Sequence, residues 1–331
     1  MAKLALTQMW PRSLCLFLSA LGLACLSGCN SPDVTPVVLR VMSYNIHHAE
    51  GLDGKVDLER IADVIRHYSA DVIALQEVDK NTERTGGIDM PAELAKRTGM
   101  NVVFGANLDN FQGGQYGTAI LSRFPIESHE NHLLNQTRKG EQRGVLQAVL
   151  AVNQGQLLFT CTHLDHKADS AERLFSEKQF ADLFAKHTAL PTLLCGDFND
   201  TPDSELHKRL SKKWTDAWRV AGKGNGFTMS SDNPKRRIDY IWLSSKKNFK
   251  VRWLSVPKTE ASDHLPLVAE IRFTPAPRPM GTPEIMLLII VMTLLSAIPI
   301  GIGTTIFISS RRNKKQALES GNDPNLTNSQ F

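Results

Sequence analysis

The chain has 331 residues, a hydrophobic fraction of 42% and a formal net charge of +4 at neutral pH. This length permits one large domain or two smaller ones, each able to bury a sizeable core. The two flanks carry most of the excess positive charge and leave only +1 on the residues between them, which argues against binding of long nucleic acids by bulk electrostatics.

Residues 1–29 have the pattern of a secretory signal. Two basic residues accompany an apolar stretch at 14–26, which is too short for a comfortable membrane span. The last four residues, Leu-Ser-Gly-Cys, resemble a bacterial lipobox, in which the cysteine is acylated and becomes the mature N-terminus. We therefore expect a bacterial protein that is exported and lipidated at Cys29, with an ordinary signal peptide or an uncleaved anchor as the alternative.

The C-terminal flank has the pattern of a membrane anchor. Residues 285–308 are apolar and uncharged, long enough to cross about 30 Å of hydrocarbon, and basic residues follow at 311–315. The segment is predicted to be a transmembrane helix, and the basic residues after it predict a cytoplasmic C-terminus, with the main part of the protein on the extracytoplasmic side. A proline-rich spacer is predicted at 274–284, and a basic stop with a disordered tail at 309–331. A buried core helix is the alternative for the apolar segment.

Residues 37–273, which we call the body, show no linker-like break, repeat or low-complexity run and are predicted to form one domain. Its two cysteines, Cys161 and Cys195, are interpreted as free core thiols, although export would also permit a disulfide.

In chain order, the body begins with elements that alternate between strand and helix. Hydrophobic periodicity predicts strands at 38–44 and 71–76 and helices at 57–68 and 91–98. Further strands are predicted at 102–104, 117–122, 145–152 and 157–162. Residues 107–116 are predicted to form a long flexible loop.

The second half continues with a helix from about 169 to 187 and a short buried strand at 192–195. Asp203 and Ser204 are candidate caps for a following helix. The last predicted strands are 237–243, 251–256 and 267–273. This mixture predicts an α/β fold with mixed sheets packed together and helices outside.

Polar side chains follow or interrupt six of these strands. They are Asn45, Glu77, His163, Asp197 with Asn199, Asp239, and Asp263 with His264. Each alone has a structural alternative, such as a turn residue at Asn45, a helix cap at Glu77 or an ion-pair partner of Arg236 or Arg237 at Asp239.

Together the segments YN, QE, THL, GDFND, RIDYIWLS and SDHLPLV resemble, in order and spacing, the endonuclease/exonuclease/phosphatase superfamily of metal-dependent phosphoesterases. The resemblance covers the whole body. It implies a four-layered α/β sandwich of two packed mixed β-sheets flanked by helices, with the active site at one rim.

The resemblance also implies roles for individual residues. Asn45, Glu77 and Asp263 offer hard oxygen ligands, which suit Mg²⁺ or Mn²⁺ and not zinc. The residues at these positions would hold a metal that neutralises charge on the scissile phosphate.

The remaining candidates would bind phosphate or move protons. His163 would donate to a phosphate oxygen; its alternative is a core histidine bonded to Asp165. Asp239 would orient His264 as an acid/base pair. Asn199 would place Asp197, which aligns or deprotonates the attacking water, and the choice of Asp197 or His264 as general base stays open.

Other residues are ambiguous. Arg143 is either a phosphate-binding arginine or a solvated loop charge, and Tyr116 either reaches the site or packs in a turn. His47 and His48 follow Asn45 and receive no role. Residues 235–237 (Lys-Arg-Arg) are interpreted as a solvated basic face.

These observations predict a membrane-tethered hydrolase of phosphate esters that uses Mg²⁺ or Mn²⁺. Two membrane-directed flanks and a near-neutral body favour a lipid head group or another membrane-associated phosphodiester. The segment 45–48 (NIHH) is also similar to a branch of the superfamily associated with glycolipid-anchor and sphingomyelin-type substrates. A nuclease acting on DNA or RNA is the close alternative, and a non-catalytic binding module is a third hypothesis that the complete set of candidate residues disfavours.

Overall fold

The computed structural model describes residues 35–244, 248–278, 289–291 and 293. The strands are β1 (Val37–Asn45), β2 (Val72–Lys80), β3 (Asn101–Phe111), β4 (Gly114–Ser122), β5 (Ile126–Leu133), β6 (Gly144–Val152), β7 (Gly155–His163), β8 (Thr192–Asp197), β9 (Thr215–Asp216), β10 (Asp239–Leu243), β11 (Phe249–Ser255), β12 (Leu267–Phe273) and β13 (Ala276–Pro277). The α-helices are α1 (Leu58–His67), α2 (Met90–Thr98), α3 (Ala171–Ala185), α4 (Glu205–Lys213) and α5 (Ala217–Ala221).

The strands form two mixed sheets. The first has the order β11-β12-β1-β2-β4-β3, and the second has the order β5-β6-β7-β8-β10-β9, with β13 paired to the start of β7. Within the first sheet β1 and β2 run parallel, and within the second β7 and β8 run parallel. Parallel neighbours bring their carboxyl ends to the same edge of a sheet.

Side-chain alternation along the strands builds the layers. In β1, Leu39 and Val41 point into a core shared by the two sheets, whereas Met42 and Tyr44 point to the opposite face and pack with residues of α1 and α2. On the outer face of the second sheet, Leu194 and Trp242 pack with residues of α3 and α4. The prediction of two packed mixed sheets flanked by helices is confirmed.

The helix boundaries follow local sequence signals. The Asp57 carboxylate accepts a hydrogen bond from the Glu59 amide at the start of α1, and Ser204 accepts one from the His207 amide at the start of α4. Gly99 ends α2 in the left-handed conformation (φ 68°), which glycine adopts without steric cost. Of the two candidate caps of α4, Ser204 takes the role.

Two sequence predictions about strands were wrong. Residues 107–116 form the tip of a β-hairpin, because β3 and β4 continue to a two-residue turn at Gln112 and Gly113, both at positive φ. The strand β5 was missed, since it is a polar edge strand without an apolar face, and most of its residues are exposed.

The cysteine interpretation was correct: Cys161 and Cys195 are both free and buried. Burial raises the pKa of the Cys161 thiol to about 12.

Several predictions concern other parts of the chain. The signal segment, Cys29, the end of the spacer and the tail lie outside the described residues, as does most of the predicted transmembrane helix. The described part of the chain has no helix that is both long and apolar enough to cross a membrane.

Candidate active site

The candidate residues meet where strand ends of the two sheets lie side by side. Residue pairing places His163 opposite Asp197 on the parallel strands β7 and β8, and Asp239 opposite Asp197 on the antiparallel strand β10. Asn45 ends β1 in the other sheet, and its Nδ2 lies 3.2 Å from Asp197 Oδ2. The site therefore spans both sheets at one edge of the sandwich.

Glu77 reaches the site through a β-bulge. The pairing of β2 with β4 shifts register between Leu75 and Val78, and Glu77 has a φ of 57°. A non-glycine residue in the left-handed region carries backbone strain, and such residues cluster at functional sites. The bulge breaks the alternation of β2, and Asn45 Nδ2 donates to Glu77 Oε1 over 2.8 Å.

Gly196 allows β8 to deliver Asp197. A Cβ added at Gly196 would lie 2.1 Å from the carbonyl oxygen of Thr162 on β7. Any larger residue would push the two strands apart, so glycine is required for this close approach.

Hydrogen bonds to Asp239 and Ser262 hold His264 in place. Its Nδ1 lies 3.0 Å from Asp239 Oδ2, and its backbone amide donates to Ser262 Oγ. Burial by itself would lower the pKa of His264, but the attraction and hydrogen bond of Asp239 outweigh it and raise the pKa to about 10. The Asp239 carboxylate thus favours the charged imidazole, and the alternative pairing of Asp239 with Arg236 or Arg237 was wrong.

Asp197 lies at the centre of the cluster. One carboxylate oxygen accepts from the Asn199 amide, while the other is 3.7 Å from His264 Nε2 and 3.6 Å from His163 Nε2. Burial, reinforced by the negative charge of Asp239, raises the pKa of Asp197 to about 7. These surroundings therefore favour the protonated form of the Asp197 carboxyl more than water does.

His163 faces the site and not Asp165. Its Nε2 lies 3.1 Å from Asn199 Nδ2, and Asn199 also donates to the Leu164 carbonyl. Burial, assisted by the positive charge of Arg143, lowers the pKa of His163 well below its ordinary value. A neutral imidazole in this position can donate one hydrogen bond to an incoming oxygen.

Three residues fit a hard divalent cation by their chemistry. Glu77 and Asp263 provide two carboxylates, and Asn45 has an amide oxygen, although its Nδ2 faces Glu77 and its Oδ1 accepts from the His47 amide. Among the described residues, Glu77 has one hydrogen bond, from Asn45, and no ion-pair partner, so its charge is left for a cation. Asp263 lines the same cavity as Glu77.

A cavity of about 330 Å³ opens onto these groups. Its wall includes Arg143, whose side chain is only 4% exposed, so the solvated-loop alternative was wrong. Nε of Arg143 makes no hydrogen bond, which leaves a buried donor without an acceptor, and Nη1 lies 2.8 Å from Glu141 Oε1 in an ion pair. A buried donor without an acceptor is suited to bind an anion.

Tyr116 also lines this cavity while it packs against Phe111, with ring centroids 5.4 Å apart, so it both reaches the site and packs in the hairpin. Sequence reasoning missed Arg84, Glu141 and His166, which contribute to the same wall. Arg84 lies in a single 3-10 turn and the other two lie in loops, so none of them belongs to a periodic pattern.

The basic segment 235–237 is only partly the solvated face that was predicted. Arg237 is buried, and its Nη2 lies 2.8 Å from Asp216 Oδ2. Lys235 and Arg236 are exposed.

Comparisons with known proteins agree with this geometry. Residues 42–264 match the profile described as "Endonuclease/Exonuclease/phosphatase family". The chain is 28% identical over 248 residues to the uncharacterized protein YbhP of Escherichia coli K12, which covers 70% of this chain and 95% of YbhP. It is 27% identical to nocturnin of Xenopus laevis, covering 73% of this chain and 74% of nocturnin.

It is also 25% identical over 236 residues to the 5′-tyrosyl-DNA phosphodiesterase of Caenorhabditis elegans, covering 68% of this chain and 60% of that protein. Among solved structures, an endonuclease/exonuclease/phosphatase from Beutenbergia cavernae superimposes with a TM-score of 0.61 at 26% identity and covers 73% of each chain. The profile match spans two thirds of the sequence and includes the residues that converge at the cavity. The chain therefore belongs to the endonuclease/exonuclease/phosphatase family, whose members are hydrolases that act on phosphoesters.

Proposed function

We propose that the protein is a Mg²⁺- or Mn²⁺-dependent phosphodiesterase tethered to the outer face of a bacterial membrane. The observation that carries the catalytic part is the direct contact of Asn45 with both Glu77 and Asp197, next to the His264–Asp239 pair. This contact joins a potential cation site to groups that can hold or move a proton.

Asn45, Glu77 and Asp263 would hold the cation. When bound, the ion supplies Lewis-acid polarisation and neutralises charge on the scissile phosphate. Its affinity would come chiefly from the two carboxylates, and the Asn45 oxygen would join them once the amide group, whose Nδ2 now faces Glu77, is turned; oxygen donors of this kind are typical of Mg²⁺ and Mn²⁺ sites.

Asp197 would accept a proton and His264 would donate one during hydrolysis. His264 lies between Asp239 and Asp197 and is held as an imidazolium, so it donates to a phosphate or leaving-group oxygen. Asp197, oriented by the Asn199 amide, accepts the proton of the attacking water. The water oxygen forms a bond to phosphorus, the ester oxygen leaves, and a proton from His264 neutralises it.

His163 and Arg143 would bind the non-bridging oxygens, and the Asn199 side chain would hold the His163 ring. His163 and Asn199 are in contact at 3.1 Å, and Arg143 raises the positive potential around His163. Directed donors that meet developing negative charge contribute strongly to phosphoryl-transfer catalysis.

A membrane-associated phosphodiester, such as a lipid head group, is the substrate class we favour. The support is the near-neutral body and the predicted membrane-directed segments at 1–29 and 285–308. A nuclease-type activity is the second candidate, favoured by the resemblance to a 5′-tyrosyl-DNA phosphodiesterase.

The test is hydrolysis by the full chain, purified in detergent or vesicles, with and without Mg²⁺. The substrates are sphingomyelin, phosphatidylinositol species, plasmid DNA, RNA and an aryl phosphodiester. Cleavage confined to lipids and lost in His264→Ala supports the proposal, and DNA or RNA cleavage lost in that variant establishes the second candidate. If the correctly folded protein hydrolyses none of these substrates, both candidate functions would be overturned, and a non-catalytic binding module would be favoured.

A further inference from the structure

Two histidines that the catalytic scheme does not use lie against Glu77. His47, His48 and Glu77 each offer a ligand atom, and these three atoms lie within 4.8 Å of one another. Tetrahedral zinc ligands at 2.0–2.2 Å from the ion are about 3.4 Å apart, so any two of these ligand atoms need to approach each other by at most about 1.4 Å.

The backbone around the two histidines is held in an uncommon conformation. His47, His48 and Ala49 have φ values of 45°, 42° and 62°, three consecutive non-glycine residues in the left-handed region. Each costs free energy, and such strain persists where the surrounding structure imposes it. Here the His47 amide donates to Asn45 Oδ1, which ties the turn to the proposed cation site.

His48 has an unused polar atom in a buried place. Its side chain is 9% exposed, and Nδ1 has no hydrogen-bond partner, whereas Nε2 lies 3.3 Å from Glu50 Oε2. A carboxylate on one imidazole nitrogen, with the other nitrogen free, is the usual arrangement of a metal-bound histidine. His47 is one-third exposed, and its Nδ1 lies 3.9 Å from Asp263 Oδ1, beyond hydrogen-bond distance.

The nearby charges permit a cation. Arg84 acts on His48 electrostatically, but it is itself neutralised by two hydrogen bonds to Asp79 of 2.6 and 2.7 Å. Three carboxylates lie near the two imidazoles. Glu77 offers a ligand atom within 4.8 Å of theirs, Glu50 lies 3.3 Å from His48, and Asp263 lies 3.9 Å from His47.

We propose that His47, His48 and Glu77 form a second metal site, which binds a transition-metal ion of the Zn²⁺ or Co²⁺ class. Two imidazoles and one carboxylate suit such ions better than Mg²⁺, whose ligands are oxygens. The site shares Glu77 with the Mg²⁺ site proposed above and rests on that proposal for the bridging role of Glu77. The second site differs from the first in that two imidazoles bind the ion, and a Mg²⁺ site would not need them.

The experiment measures Co²⁺ binding by its visible absorption, using metal-free full-length protein without a histidine tag, in excess Mg²⁺. The variants are His47→Ala and His48→Gln, with the exposed His129→Ala as matched control. We expect one Co²⁺ bound by the wild type and by the control, and an affinity loss of about tenfold or more in each site variant. Hydrolysis is measured separately, so loss of the Mg²⁺ activity and loss of Co²⁺ binding are independent results.

Three results would overturn the inference: no Co²⁺ absorption in the wild type, equal binding by the site variants, or equal loss in the control. Because His48 is buried, thermal unfolding of each variant is recorded first. If His48→Gln does not fold, the partly exposed His47→Ala decides the question.

Discussion

Replacement of Arg143 by methionine is expected to stabilise the fold and to weaken catalysis. The guanidinium is buried; Nη2 bonds to His166 Nδ1 at 3.1 Å, and Nη1 lies 2.8 Å from Glu141 Oε1 without hydrogen-bond geometry. Methionine fills similar space without donors.

The expected magnitude follows from the two opposite effects. A buried donor without a partner costs about 1–3 kcal/mol, and Arg143 has one, its Nε. Part of this gain is offset because Glu141, which is 28% exposed, loses its cation. We expect a net stabilisation of about 1 kcal/mol, which raises Tm by about 2–4 °C in a domain of this size.

The same change removes charge-assisted hydrogen bonds to the phosphoryl group. Each is worth about 1.5–3 kcal/mol, so kcat/KM should fall by about 10- to 100-fold. Inorganic phosphate should raise the Tm of the wild type more than that of Arg143→Met.

The assay is thermal unfolding by circular dichroism, with and without phosphate, beside steady-state hydrolysis. Arg252→Met is the matched control, since Arg252 is 55% exposed on β11 and pairs with Glu270 at 3.1 Å. A lower Tm together with unchanged kcat/KM would refute the reasoning and make Arg143 a structural cation.

Three further outcomes are expected. Glu77→Gln should abolish metal-dependent hydrolysis without lowering Tm by more than a few degrees, and chelation by EDTA should do the same to the wild type; residual turnover in either case counts against the metal site. Gly196→Ala should destabilise the protein by about 3 kcal/mol or more in urea unfolding, since its Cβ would meet the Thr162 carbonyl at 2.1 Å. Burial alone would raise the pKa of Asp216, but hydrogen bonds from His207 and Arg237 lower it, so its stabilisation is complete above the unfolded value of about 3.9 and lost as the pH falls through the lower folded value. Asp216→Asn should remove that part of the acid dependence of unfolding, and an unchanged pH profile would contradict it.

Local patterns were sufficient for most of the fold. The helix α1 was predicted within a residue at each end, because an apolar stripe and the Asp57 cap both occur in the sequence. The hairpin at Gln112 was not predicted, because polar and apolar residues do not alternate regularly on β3 and β4 near the turn, so periodicity gave no strand signal there.

The candidate site, too, could be predicted from the sequence only in part. Positions such as His163 and Asp197 follow apolar strands, so the sequence could indicate that they share a sheet edge. It could not indicate that Arg143 would be buried, because the burial comes from packing with segments distant in sequence. Nor could it place Glu77, which was predicted to end a strand and instead lies inside β2, turned by a bulge.

The bulge at Glu77 shows why the geometry of this site depends on the packing of the two sheets. Asn45 belongs to the first sheet, and its side chain joins Glu77 of the same sheet to Asp197 of the second. Beneath this contact, Gln76 Nε2 lies 3.1 Å from Cys161 Sγ, and Cys161 in turn donates to the Leu75 carbonyl, so the residue before the bulge is tied to β7. A shift of one sheet over the other would therefore move the proposed cation ligands relative to the proton-carrying groups. Substitutions at Cys161, far from any phosphate, should consequently alter kcat more than they alter the affinity for substrate.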